Sequence, residues 1–262
     1  MRGVTAFCAA AFLLAASPLD AATIEVVGMK YYSETESEYR YEGEICVEDL
    51  TADAVSAMSP GSSTWEPLTE ESPDDWFLES SAEMTLAELQ TGMAGSWTLR
   101  VNTGTDVYDY AFDLAAVQES DFLAMPEVTS PSSGADVDVD YTFTWENNDA
   151  HLTADGYVAT VEHGAAESRA GWMADGSMSS LPQTAESWSV HDMFTGAASF
   201  DVGYGVYLNL ISNTVEPTGA PDITDWRSVA VSGDEVEFNI VPEPVTLSLL
   251  ALGGAALLRR AR

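Results

Sequence analysis

Through most of the chain, apolar and polar positions alternate in short runs, at the period of two that a half-buried β-strand requires. The alternation predicts strands over 23–32, 39–47, 96–102, 107–114, 141–146, 157–163, 187–191, 202–211, 228–231 and 235–241. Gly104-Thr105-Asp106 lies between Trp97-Thr98-Leu99-Arg100-Val101 and Val107-Tyr108-Asp109-Tyr110-Ala111-Phe112, which predicts a hairpin. On its second strand Tyr108, Tyr110 and Phe112 share one face. A single helix is predicted, because Thr85-Leu86-Ala87-Glu88 has capping-box spacing and Gly92 offers a stop.

The pattern is interrupted once by a Pro/Ser-rich connection, Met125-Pro126-Glu127-Val128-Thr129-Ser130-Pro131 followed by Ser132-Ser133-Gly134. Read as a linker over 125–134, it divides the chain into two β-sandwich domains in tandem, 22–124 and 135–240. Each is of the usual size for a sandwich, and sheet on sheet is the arrangement that buries alternating faces. The alternative is a single jelly roll. The second half opens with Ser130-Pro131, a glycine, an acidic turn and Tyr141-Thr142-Phe143-Thr144-Trp145, and in this stretch it resembles bacterial immunoglobulin-like or fibronectin-like modules. The resemblance implies that Trp145 packs across two sheets.

Both ends depart from the alternation. Arg2 precedes an uncharged run whose apolar stretch, 4–16, is closed by Ser17 and Pro18, with small residues at Ala21 and Ala22. This is the pattern of a secretory signal peptide over 1–21. At the other end Val241-Pro242-Glu243-Pro244 precedes the charge-free run 245–258 and then Arg259, Arg260 and Arg262. The prolines stop a helix from extending backward, since each lacks an amide donor and Pro244 disfavours a helical Glu243. The run of 14 residues would span about 21 Å as a helix, short of a hydrocarbon core of about 30 Å. Snorkelling arginines extend its reach, and the positive-inside bias keeps them cytoplasmic. Residues 241–262 resemble the PEP-CTERM sorting signal: a Pro-Glu-Pro triplet, a short transmembrane helix and a closing arginine cluster. The resemblance implies processing by an exosortase-type protease after passage through the export machinery of a Gram-negative bacterium.

The charge excludes one class of partner. The chain carries 43 acidic and 9 basic residues, a formal net charge of −34. A phosphate backbone would be repelled, so no nucleic-acid partner is expected. Cys46 is the one cysteine outside the signal peptide. Alternation sets it on the opposite face from Ile45 and Val47, as a small buried hydrophobe.

Candidate chemistry is sparse. Asp136-Val137-Asp138-Val139-Asp140 spaces carboxylates by two, but Tyr141 and Asn147 stand where a calcium loop needs Gly and Glu, so an exposed strand is expected. Glu146-Asn147-Asn148-Asp149 with Asp155-Gly156 is a second arrangement of oxygen ligands. His151, His163 and His191 lack the spacing of a zinc hydrolase, and Ser177 is not in a nucleophile elbow. Gly203-Tyr204-Gly205 inside a strand predicts a bulge. Trp97 and Trp145 read as core anchors, whereas Trp65, Trp76 and Trp172 lie in loop-like sequence where exposed rings would stack on sugars. No catalytic residue, cofactor or metal is assigned. The expectation is an exported all-β protein, held at the inner membrane and then displayed at the envelope, cell surface or matrix. Its expected role is structural or adhesive, with exopolysaccharide as a partner. A carbohydrate-binding module or secreted glycoside hydrolase is the alternative.

Overall fold

A computed structural model describes residues 22–33, 38–79, 84–147, 157–165, 177–181, 186–190, 193 and 195–241. Its strands in chain order are β1 (Ala22–Ser33), β2 (Glu38–Glu48), β3 (Ala54–Met58), β4 (Glu66–Pro67), β5 (Thr69–Ser72) and β6 (Asp75–Glu79), then helix α1 (Leu86–Met93), β7 (Gly95–Asn102) and β8 (Val107–Leu114). After a 3₁₀ turn at Glu119–Asp121 come β9 (Glu127–Ser130), β10 (Asp136–Asp138), β11 (Tyr141–Glu146), β12 (Tyr157–Ala165), β13 (Ser177–Leu181), β14 (Ser187–Val190), β15 (Gly196–Leu208), β16 (Ile211–Val215) and β17 (Ile223–Val241). The all-β reading is correct.

The strands form one large sheet and two small ones. The nine-stranded sheet runs β13-β12-β15-β17-β1-β2-β6-β5, with β10 also paired to β17. A five-stranded sheet runs β16-β8-β7-β3-β4, and a three-stranded one β14-β11-β9. Register and pleat place Ala230, Val236, Phe238 and Ile240 of β17 on one face, and both small sheets pack there side by side. Between the large and five-stranded sheets lies a core with Ile24, Val26, Ile45 and Val47 on one side and Trp97, Leu99, Val101, Tyr110 and Phe112 on the other. Under the three-stranded sheet, Phe143 and Trp145 meet Phe200, Val202, Tyr204 and Phe238.

The layers are sandwich-like, but the large sheet is common to both halves. β17 pairs in parallel with β1 from Ala22 to Tyr31 and antiparallel with β15 from Gly196 to Leu208. β16, beyond the linker in sequence, pairs with β8 of the five-stranded sheet. The linker itself is corrected in part: residues 127–130 form β9, paired with β11, because Val128 has the second core to pack against.

Two further corrections concern strands. The predicted strands 228–231 and 235–241 are one, β17. Ser232 donates its hydroxyl hydrogen to the Leu123 carbonyl at 2.8 Å, Asp234 accepts from the Val128 amide at 2.7 Å, and Gly233 is paired on both sides. Three turn-prone residues therefore stay extended, since their polar groups find partners without turning. Gly203 and Gly205 cause no bulge, and β15 runs in continuous register past them.

The hairpin β7–β8 and helix α1 form as predicted. Thr85 Oγ1 accepts from the Glu88 amide at 3.3 Å and Glu88 Oε2 accepts from the Thr85 amide at 2.8 Å. The helix passes Gly92 and ends at Met93; the glycine that leaves it is Gly95, at φ +129°. Leu89 and Met93 rest on the large sheet where Gly28 of β1 faces Gly43 of β2. A Cβ on Gly43 would lie 2.8 Å from Met93 and 2.9 Å from Leu89, so this pair of glycines makes the seat for the helix.

Candidate functional site

Of the sorting-signal residues, Val241 is the last residue of β17, half-buried and paired with Asp138 of β10. Pro242, Glu243, Pro244, Arg259, Arg260 and Arg262 lie outside the described residues, as do the predicted signal peptide and the apolar run 245–258. Among the described residues no helix is long and apolar enough to cross a membrane. No described residue separates the large sheet from the Pro-Glu-Pro triplet: the main chain goes from its longest strand directly into Pro242.

The acidic candidates fall apart on inspection of the strands. Asp136 and Asp138 are exposed on either side of Val137, which is 4% exposed in the second core, so β10 is the strand that alternation predicts. Glu146 ends β11, and Asn148, Asp149, Asp155 and Gly156 lie outside the described residues. So do His151 and His191, while His163 occupies a register position of β12 opposite Phe200. Among the described residues no group of three or more His, Cys, Asp or Glu is arranged to hold a metal ion. Cys46 is fully buried, on the face away from Ile45 and Val47, beside Val27 and Phe77.

Among the described residues, Trp65 and Trp76 each have a partner of their own. Trp76 is buried in β6 and donates from Nε1 to the Leu50 carbonyl at 3.2 Å. Trp65 is half-buried, and the Arg100 guanidinium covers its ring at 3.9 Å while also gripping Asp109 through two bonds of 2.7 Å. One face of the indole is therefore occupied by a cation. Trp172 lies outside the described residues. Trp97 and Trp145 are core anchors as expected. Trp145 reaches from the three-stranded sheet to donate to Tyr204 Oη of β15 at 2.7 Å, which is the packing across two sheets that the immunoglobulin-like stretch implies.

A feature that motif reading misses lies on the other face of the large sheet. There β1 presents Thr23 and Glu25, β2 presents Glu42, Glu44, Cys46 and Glu48, and β17 presents Asp225 and Arg227, each at matching register. Glu25 and Glu44 are 1% exposed and Glu48 is 6% exposed. Burial pushes Glu25 up to about 7, against the opposing pull of Arg227 and with help from Asp225. Burial pushes Glu48 up to about 8, reinforced by Glu25, Asp75 and Asp49. Loss of water disfavours a charged carboxylate, and like charges on one face add to that cost. Glu25 and Glu48 therefore hold a proton to higher pH than an ordinary carboxyl. The signal was present in the period-two spacing around Cys46, but an acidic chain offers many such runs and only pairing selects this one.

Fold and site together define an all-β protein with sandwich-like layers. No family model matches the chain, and no curated protein matches it. Among solved structures, the crystal structure of chicken CNTN1 FN1-FN3 domains is similar at 13% identity over 76% of this chain and 68% of that chain, with a TM-score of 0.21. A likeness so slight carries no argument about function.

Proposed function

We propose that this chain is an exported protein of the bacterial envelope or extracellular matrix, sorted through residues 241–262, with a structural or adhesive role. The observation that carries the reading is the order of the tail: Pro242-Glu243-Pro244, an uncharged run, then Arg259, Arg260 and Arg262. Each part has a physical task. The prolines end the strand and start the helix, the short apolar run inserts, and the arginines hold its far end on the cytoplasmic side. An exosortase-type protease is the partner that removes the tail, and an exopolysaccharide-rich matrix is the destination. The acidic surface is suited to a hydrated matrix and unsuited to anionic polymers.

The test is deletion of residues 242–262, alongside replacement of the three arginines by alanine. Both changes should abolish membrane association of the intermediate and the size change that accompanies processing, as followed by membrane fractionation and intact-mass measurement. Unaltered fractionation and mass in the deleted chain would remove the proposal.

A further inference from the structure

The two strands nearest the ends of the described chain lie side by side in the middle of the large sheet. β1 starts at Ala22 and β17 stops at Val241; they run parallel, with Ala22 opposite Ile223 and Tyr31 opposite Gly233. Because they are parallel, the beginning of β1 and the end of β17 point to opposite ends of the sheet. β17 has 19 residues, and at about 3.3 Å per residue it is roughly 60 Å long. Along that length it is also held by β15 from Gly196 to Leu208 and by β10 from Asp136 to Asp138. β1 is held on its other edge by β2 from Glu38 to Glu48.

We infer that β1 and β17 form a mechanical clamp that resists tension applied along the chain between its two ends. Tension applied before Ala22 and after Val241 pulls the two strands along their own axes in opposite directions. The inter-strand hydrogen bonds lie across that direction, so they are loaded together in shear. Pulling both strands from the same end would open the bonds one after another, each supporting the whole force alone. Forced unfolding is governed by the barrier to rupture, which is higher when many bonds must yield at once. The flanking strands add to this, since β17 cannot slide without breaking from β15 and β10 as well. The mechanical resistance is independent of the proposed sorting tail, which processing removes.

The experiment is single-molecule stretching of the full chain carrying three peptide tags, one at each terminus and one inserted at Gly219. Gly219 lies in the exposed turn between β16 and β17, at φ +79°, with no atom within 4 Å of where a Cβ would stand. It precedes Ile223, the partner of Ala22, so pulling the N-terminus against this tag unzips β1 from β17. The same molecule pulled between its two termini shears them. At equal pulling speed the shear geometry should rupture at severalfold higher force. Equal forces, or a lower force between the termini, would overturn the clamp. If the force difference is found while tail deletion leaves membrane association unchanged, the clamp stands and the sorting proposal falls; the converse pair of results removes only the clamp.

Discussion

Phe143 shows what one side chain contributes when four aromatic rings converge on it. It is fully buried, stacked on Phe200 with centroids 4.1 Å apart, and met at an angle by Phe238 at 5.4 Å and Tyr141 at 5.2 Å. Trp188 is the fourth, at 6.3 Å. Replacing Phe143 by Ala removes those contacts and leaves a cavity that rigid rings fill poorly, a loss of about 3–5 kcal/mol that urea unfolding should register. At the same scale, Glu25 and Glu48 impose a pH dependence. Their folded values of about 7 and about 8 lie above the ordinary 4.5, so the native state binds more protons than the unfolded chain between those limits. The stabilisation is complete below the unfolded value and is lost as pH rises through the folded values. The full chain should therefore melt at a higher temperature near pH 5 than near pH 9. Replacing both residues by Gln should flatten that slope, and an unchanged slope would place its origin elsewhere.

At the scale of elements, hairpin β7–β8 and helix α1 were legible because their signals are local: a glycine turn between alternating runs, and a capping box. The seat of the helix was not, since Gly28 and Gly43 are distant in sequence and meet only through the register of β1 with β2. Gly43→Val should cost about 1–3 kcal/mol, since new methyls would press on Leu89 and Met93 and the helix would lift. Calorimetry would measure this, and a neutral result would mean that Met93 bends aside without loss. Of β17, 228–231 and 235–241 were legible, and neither its start at 223–227 nor the join at 232–234 was. Ser232-Gly233-Asp234 reads as a turn in isolation, and stays extended because Leu123 and Val128 supply its polar partners. The short strands β3, β4, β6 and β16 escaped prediction. β3 does alternate, burying Val55 and Ala57, but its small residues make the apolar pattern weak in the sequence.

For the molecule as a whole, β17 decides how the halves behave. It supplies Ala230 to the first core and Val236, Phe238 and Ile240 to the second. Neither core is complete without it, so heat should unfold both together. A single transition, coincident by Trp fluorescence and by far-ultraviolet circular dichroism, is the expected result, and two separated transitions would mean independent halves. The tandem division read from the Pro/Ser-rich connection assigns β16 and β17 to the second half alone, whereas β16 pairs with β8 in the five-stranded sheet and Ile223 and Ala230 lie in the first core.

From the sequence alone followed the all-β class, the hairpin, the capped helix, the core tryptophans Trp97 and Trp145, the buried Cys46 and the acidic character. All of these arise from periodicity, short-range chemistry or composition. The tertiary structure decided what depends on distant partners: a parallel pairing between the first and last described strands, a face on which the buried Glu25 and Glu48 are pushed up, and the stacking of Arg100 on Trp65. Pairing across some two hundred residues leaves no periodic trace, because a strand's alternation states which face it buries and not which neighbour it joins.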